Sequence, residues 1–60
     1  MKVAAKFDFG IIVGGVKVTW DKDEVFTVDR TYHNARGVKV YQVQKNGVKF
    51  ELAAYEVTEV

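Results

Sequence analysis

Apolar and polar side chains alternate through Tyr41–Leu52 on both sides of Asn46-Gly47, and the two alternations agree in register. A two-residue turn at Asn-Gly needs φ > 0 at both central positions, the strongest short-range signal for a β-hairpin. It sets Lys45 opposite Val48, Val43 opposite Phe50 and Tyr41 opposite Leu52 on one face, with Gln44/Lys49 and Gln42/Glu51 on the other. A slip of one residue would expose Phe50 and Leu52 to water, so the pattern specifies the pairing.

The same reasoning covers the rest of the chain. Val3, Ala5, Phe7, Phe9, Ile11 and Val13 occupy odd positions, and Lys2, Lys6 and Asp8 even ones, which predicts a strand with one buried face. A Gly14-Gly15 turn then pairs Val13 with Val16, Ile11 with Val18 and Phe9 with Trp20. Gly10 and Ile12 interrupt the polar side, so the distal part is expected to be an irregular two-stranded loop. Asp21–Glu24 reads as a charged turn, and Val25–Tyr32 as a strand with Phe26 and Val28 inward. His33–Gly37 reads as a loop. The apolar phase jumps from even to odd at Val40–Tyr41, where a bulge or bend is expected. Ala53-Ala54-Tyr55 suits a single helical turn before a short closing strand, Glu56–Val60. The reading is a single all-β domain over 1–60: a small barrel of five or six short antiparallel strands, closed or stacked to hide its edges.

Composition supports this. Twelve valines and four threonines stand against one leucine, which favours pleated, half-buried surfaces. Eight aromatics and an apolar share of 48% exclude disorder. No apolar run approaches the ~20 residues of a membrane span, and no signal-peptide core follows Met1. Without cysteine there is neither disulfide nor thiolate metal site. The net charge of +1 is uneven: residues 28–49 carry Arg30, Arg36, Lys39, Lys45 and Lys49 against Asp29, while Glu51, Glu56 and Glu59 make the tail acidic.

Ala5-Lys6-Phe7-Asp8-Phe9 is similar to the ALYDY motif of SH3 domains, with phenylalanine at both tyrosine positions. Val18–Trp20 and Glu24–Val28 resemble the strands around that family's diverging turn, where Lys22-Asp23-Glu24 replaces a common Lys-Gly-Asp. The Gly-Gly hairpin would correspond to the RT loop, and Ala53-Ala54-Tyr55 looks like the small helical turn with its binding-surface tyrosine. The resemblance implies an SH3-like barrel over almost the whole chain. Departures bear on the ligand. The ligand-stacking tryptophan is missing around Val38–Val40, and Leu52 replaces the binding-surface proline. Ile11, Ile12 and Val13 stand where acidic RT-loop residues would pair with a ligand's basic group. Glu56 intrudes where an apolar residue should follow the tyrosine.

Catalysis is poorly provisioned. There is no serine or cysteine and only one histidine, so the familiar nucleophile–base pairs cannot be assembled, and His33 reads as a solvated loop residue. Asp21, Asp23 and Glu24 lack the glycine and distant glutamate of a calcium loop. Gly14-Gly15 precedes no helix that could receive a phosphate. No enzyme activity, cofactor or metal is expected.

Two surfaces remain. Phe7, Phe9 and Tyr55, with Ile12 at the hairpin tip, form the candidate protein-binding set. Arg30, Tyr32, His33, Arg36, Lys39 and Lys45 mix cations with aromatics, as nucleic-acid surfaces of small barrels do. The reading is a non-enzymatic protein-binding module, SH3-like and not a standard PxxP binder. The alternative is a nucleic-acid-binding small barrel using segment 30–49. The expected context is a monomer or weak homo-oligomer, cytoplasmic by default and without a membrane partner. Small free-standing frames of this kind are typical of phage or mobile-element accessory proteins.

Overall fold

The computed structural model describes all residues, Met1–Val60, and the chain is all-β apart from one 3-10 turn. The strands are β1 (Lys2–Ala5), β2 (Phe9–Val13), β3 (Val16–Trp20), β4 (Val25–His33), β5 (Lys39–Lys45), β6 (Val48–Ala53) and, after the 3-10 turn Ala54–Glu56, β7 (Val57–Glu59). All pairings are antiparallel. Five strands form one sheet in the order β6-β5-β4-β1-β7, and β2-β3 forms a second, two-stranded sheet. The hydrogen-bonded ladder does not close on itself, so the architecture is two packed sheets with an open edge at β6 and another at β7.

Both predicted hairpins are present residue for residue. Lys45 faces Val48, Val43 faces Phe50 and Tyr41 faces Leu52; Phe9 faces Trp20, Ile11 faces Val18 and Val13 faces Val16. At the first turn Asn46 and Gly47 have φ of 52° and 79°, as the turn type demands.

The strand count is seven rather than five or six, because the long odd-numbered run at the N-terminus is two strands. After Ala5 the chain leaves the sheet for Lys6-Phe7-Asp8 and re-enters as β2. The break is bonded on both sides: the Lys6 N–H donates to Glu56 O at 2.9 Å, and the Lys22 N–H to Asp8 Oδ1 at 2.6 Å. Ala5 itself is clamped by the β3–β4 turn, donating to Glu24 O at 2.9 Å and accepting from the Asp23 N–H at 2.7 Å. Alternation continues across a bend of this kind, so periodicity alone does not reveal it.

The expected bulge lies on the neighbouring strand. β5 pairs with β6 without interruption through Val40 and Tyr41, whereas the β4–β5 register shifts between Val28 and Arg30, leaving Asp29 as the extra residue. Val40 and Tyr41 are adjacent in the chain and both buried, but on opposite faces. Tyr41 belongs to the central core; Val40 does not, and has Tyr32 and Ala53 as its cross-strand neighbours. His33, expected in a loop, is the last residue of β4, and the turn begins at Asn34. There Asn34 Oδ1 accepts from the Arg36 and Val38 N–H groups at 2.9 and 3.1 Å, an Asx-type closure.

The core joins one face of the five-stranded sheet to the inner face of β2-β3. Val3, Ala5, Phe26, Tyr41, Val43, Phe50, Leu52 and Val57 come from the large sheet, Val18 and Trp20 from the small one. Glu56 does not disturb this packing. Its Oε1 accepts the Ala53 N–H at 2.9 Å across the 3-10 turn, and Val57 takes the buried position one residue later.

Candidate functional site

Phe7, Phe9 and Tyr55 are 60%, 53% and 69% exposed, although each is a large apolar or amphipathic ring in a chain rich enough to bury it. They are brought together by the two bends just described. The Lys6–Asp8 excursion carries Phe7 out of the sheet, β2 begins at Phe9, and the Lys6–Glu56 backbone bond fixes the 3-10 turn beside them. Together with Trp20 and Glu56 they line an open groove of about 230 Å³.

Trp20 is the lining residue that pattern reading assigned to the core alone. It does both. Its ring stacks on Phe50 at 5.1 Å with planes 10° apart, and Phe26 meets it edge-on at 5.9 Å. On the groove side Phe9 tilts against it at 5.6 Å and 59°. Only 5% exposed, Trp20 is the buried member of the lining, with Phe9 tilted against it. The Phe9/Trp20 pairing in the hairpin register was the signal available in the sequence.

Ile12, grouped with these residues by sequence, lies elsewhere. It is 73% exposed on the outer face of the β2-β3 hairpin, opposite Lys17, and lines no cavity.

The basic candidates do not converge. Arg30 and Tyr32 share the outer face of β4 with Gln42 and Glu51, while His33, Lys39 and Lys45 follow the opposite register. Arg36 is in the 34–38 turn, and Lys45 sits six residues along β5 from Lys39, about 20 Å by strand rise. Several are already engaged. Arg30 lies 5.7 Å over the Tyr32 ring and donates from Nε to Gln42 Oε1 at 3.1 Å. The Tyr32 hydroxyl donates to Glu51 Oε2, and this bond raises the Tyr32 pKa above the ordinary phenol value, helped by desolvation. Lys39 lies 5.1 Å over the Tyr41 ring.

Lys45 is the most committed. Its Nζ is 2.7 Å from Glu24 Oε2 and donates to Thr19 O at 2.7 Å, tying β5 to β3 and to the β3–β4 turn. The hydrogen bond from Lys45 is the main cause that holds the Glu24 carboxyl below its usual pKa. No group of three or more His, Asp or Glu side chains is placed to hold a metal ion, and no helix is long and apolar enough to cross a membrane.

No protein-family profile, curated protein or solved structure matches this chain. The groove is therefore read from its own chemistry. It offers four aromatic rings, one carboxylate and a volume below the ~300–1,000 Å³ typical of small-molecule sites. That is room for a group about the size of one large side chain.

Proposed function

We propose that this chain is a non-enzymatic protein-binding module of SH3-like architecture that engages a partner segment through the Phe7, Phe9, Trp20, Tyr55 and Glu56 groove. The observation that carries the reading is the convergence of three exposed aromatic rings on one groove. Single exposed apolar side chains are ordinary, whereas several gathered at one groove mark an interaction site. The resemblance to SH3 domains supports the same surface, since the matching motif contributes Phe7 and Phe9 and the matching helical turn contributes Tyr55.

The ligand is not a standard PxxP segment. A polyproline II helix lies across two adjacent aromatic-lined grooves, and here the tryptophan and proline that would wall the second are replaced by aliphatic residues. Proline-rich peptides should bind more weakly than about 1 mM, or less than ~4 kcal/mol of binding free energy. The test has two arms. Amide shifts in a titration with a PxxP peptide should not saturate, and saturable micromolar shifts at Phe7, Phe9 and Tyr55 would restore the ordinary SH3 ligand. Proteins captured from the native host by the wild type should be lost with a folded Phe7→Ser/Tyr55→Ser variant. Equal capture by both would overturn the groove as the binding surface.

A further inference from the structure

We infer that the groove selects a lysine or arginine side chain presented by the partner segment; this rests on the groove reading above and specifies its ligand. The discriminating element is Glu56. It lines the groove among four aromatic rings, and its Oε1 is fixed by the Ala53 N–H at 2.9 Å, while Oε2 receives no hydrogen bond from the chain. Lysine and arginine residues elsewhere in the chain leave it alone. The one ion pair of the molecule joins Lys45 to Glu24, and Lys6, whose backbone N–H bonds the Glu56 carbonyl, forms none. The groove rings are equally unclaimed, since the intramolecular cation–π contacts fall on Tyr32 and Tyr41.

Charge then decides the occupant. A proline or aliphatic side chain packed into this groove would strip water from the Glu56 carboxylate and return no partner, which is costly. An acidic side chain would be repelled. A cation satisfies both components: its methylene stem packs on Phe9 and Trp20, its head meets the negative faces of the rings, and the carboxylate neutralises it. The volume of about 230 Å³ suits one such side chain. The site differs from the RT-loop carboxylates implied by the SH3 resemblance, whose positions are occupied here by Ile11, Ile12 and Val13.

The experiment is a selection of random linear peptides on the immobilised intact chain, with Phe7→Ser as the counter-screen. Peptides that require Phe7 should share a lysine or arginine. Replacing that residue by norleucine should weaken binding by between about 3- and 30-fold. Glu56→Gln, which keeps an oxygen for the Ala53 N–H, should weaken the parent peptide similarly and leave the norleucine peptide unchanged. Phe7-dependent peptides without a shared basic residue, or with one whose loss changes nothing, would overturn the cation and leave the groove standing. Recovery of no Phe7-dependent peptide would overturn both.

Discussion

Trp20 and Phe50 are stacked face to face, 5.1 Å between ring centroids, and this contact joins the two-stranded sheet to the five-stranded one. Phe26 meets both rings edge-on, so three aromatics from three strands form one unit beneath the groove. Truncating a buried phenylalanine to alanine costs about 3–5 kcal/mol, comparable with the total stability of a domain this small. Phe50→Ala should therefore abolish cooperative unfolding. Phe50→Leu should keep the fold, lose about 1–2 kcal/mol and shift the emission of Trp20, the only tryptophan. Unaltered emission together with an unchanged denaturation midpoint would show that the stack does not join the sheets.

Gly47 closes the β5–β6 turn at φ 79°, and a Cβ built there would meet nothing within 4 Å. A substitution therefore acts through backbone conformation alone. Gly47→Val should lower stability by more than ~1 kcal/mol, since a β-branched residue resists this region. The midpoint of urea denaturation measures it, and no change would mean that the turn is not needed for the pairing.

Asp23 is the chain's other non-glycine residue besides Asn46 with positive φ, at 71°, and its N–H is committed to Ala5 O. Its side chain makes no hydrogen bond that would compensate. Asp23→Gly should be neutral or stabilising by up to ~1 kcal/mol, the relief of left-handed strain being partly offset by glycine's greater freedom when unfolded. A clear fall in melting temperature would reveal a contribution from the Asp23 carboxylate.

The Glu24–Lys45 pair makes stability depend on pH on the acid side. Because its folded pKa is depressed, Glu24 contributes stability above its unfolded pKa and loses it as pH falls through the folded value. Both side chains are partly exposed, which limits the contribution to less than about 1 kcal/mol. The stability difference between wild type and Glu24→Gln should be constant near neutrality and vanish in acid. A difference that persists at low pH would assign the effect to packing rather than charge.

Hairpin register was legible because turn chemistry and alternation agree independently at Asn46-Gly47 and at Gly14-Gly15. The bulge was legible only as a need. Two adjacent buried residues, Val40 and Tyr41, announce that something departs from simple alternation, but one strand's pattern does not say that its partner carries the extra residue. Asp29 is as polar as its neighbour Arg30, so nothing in its type marks it. The groove was half legible. Phe7, Phe9 and Tyr55 stood out as aromatics that a resemblance placed on a surface, while Trp20 looked like core because it is core. Glu56 looked like a misfit in a closing strand until the 3-10 turn gave its carboxylate a backbone partner.

The separation of β2-β3 from the other five strands has a kinetic consequence. No backbone hydrogen bond links the two sheets, so the hairpin is held by side chains: the aromatic stack, its aliphatic neighbours and the Lys45 bridge to Thr19 and Glu24. It can therefore detach as a subglobal opening while the larger ladder stays intact. Amide protons of Gly10–Thr19 should exchange with deuterium faster than those of Val43 and Leu52, which report global unfolding. Such openings expose Trp20 and dismantle the groove. A bound partner would slow exchange in the hairpin selectively, making those protons a gauge of occupancy.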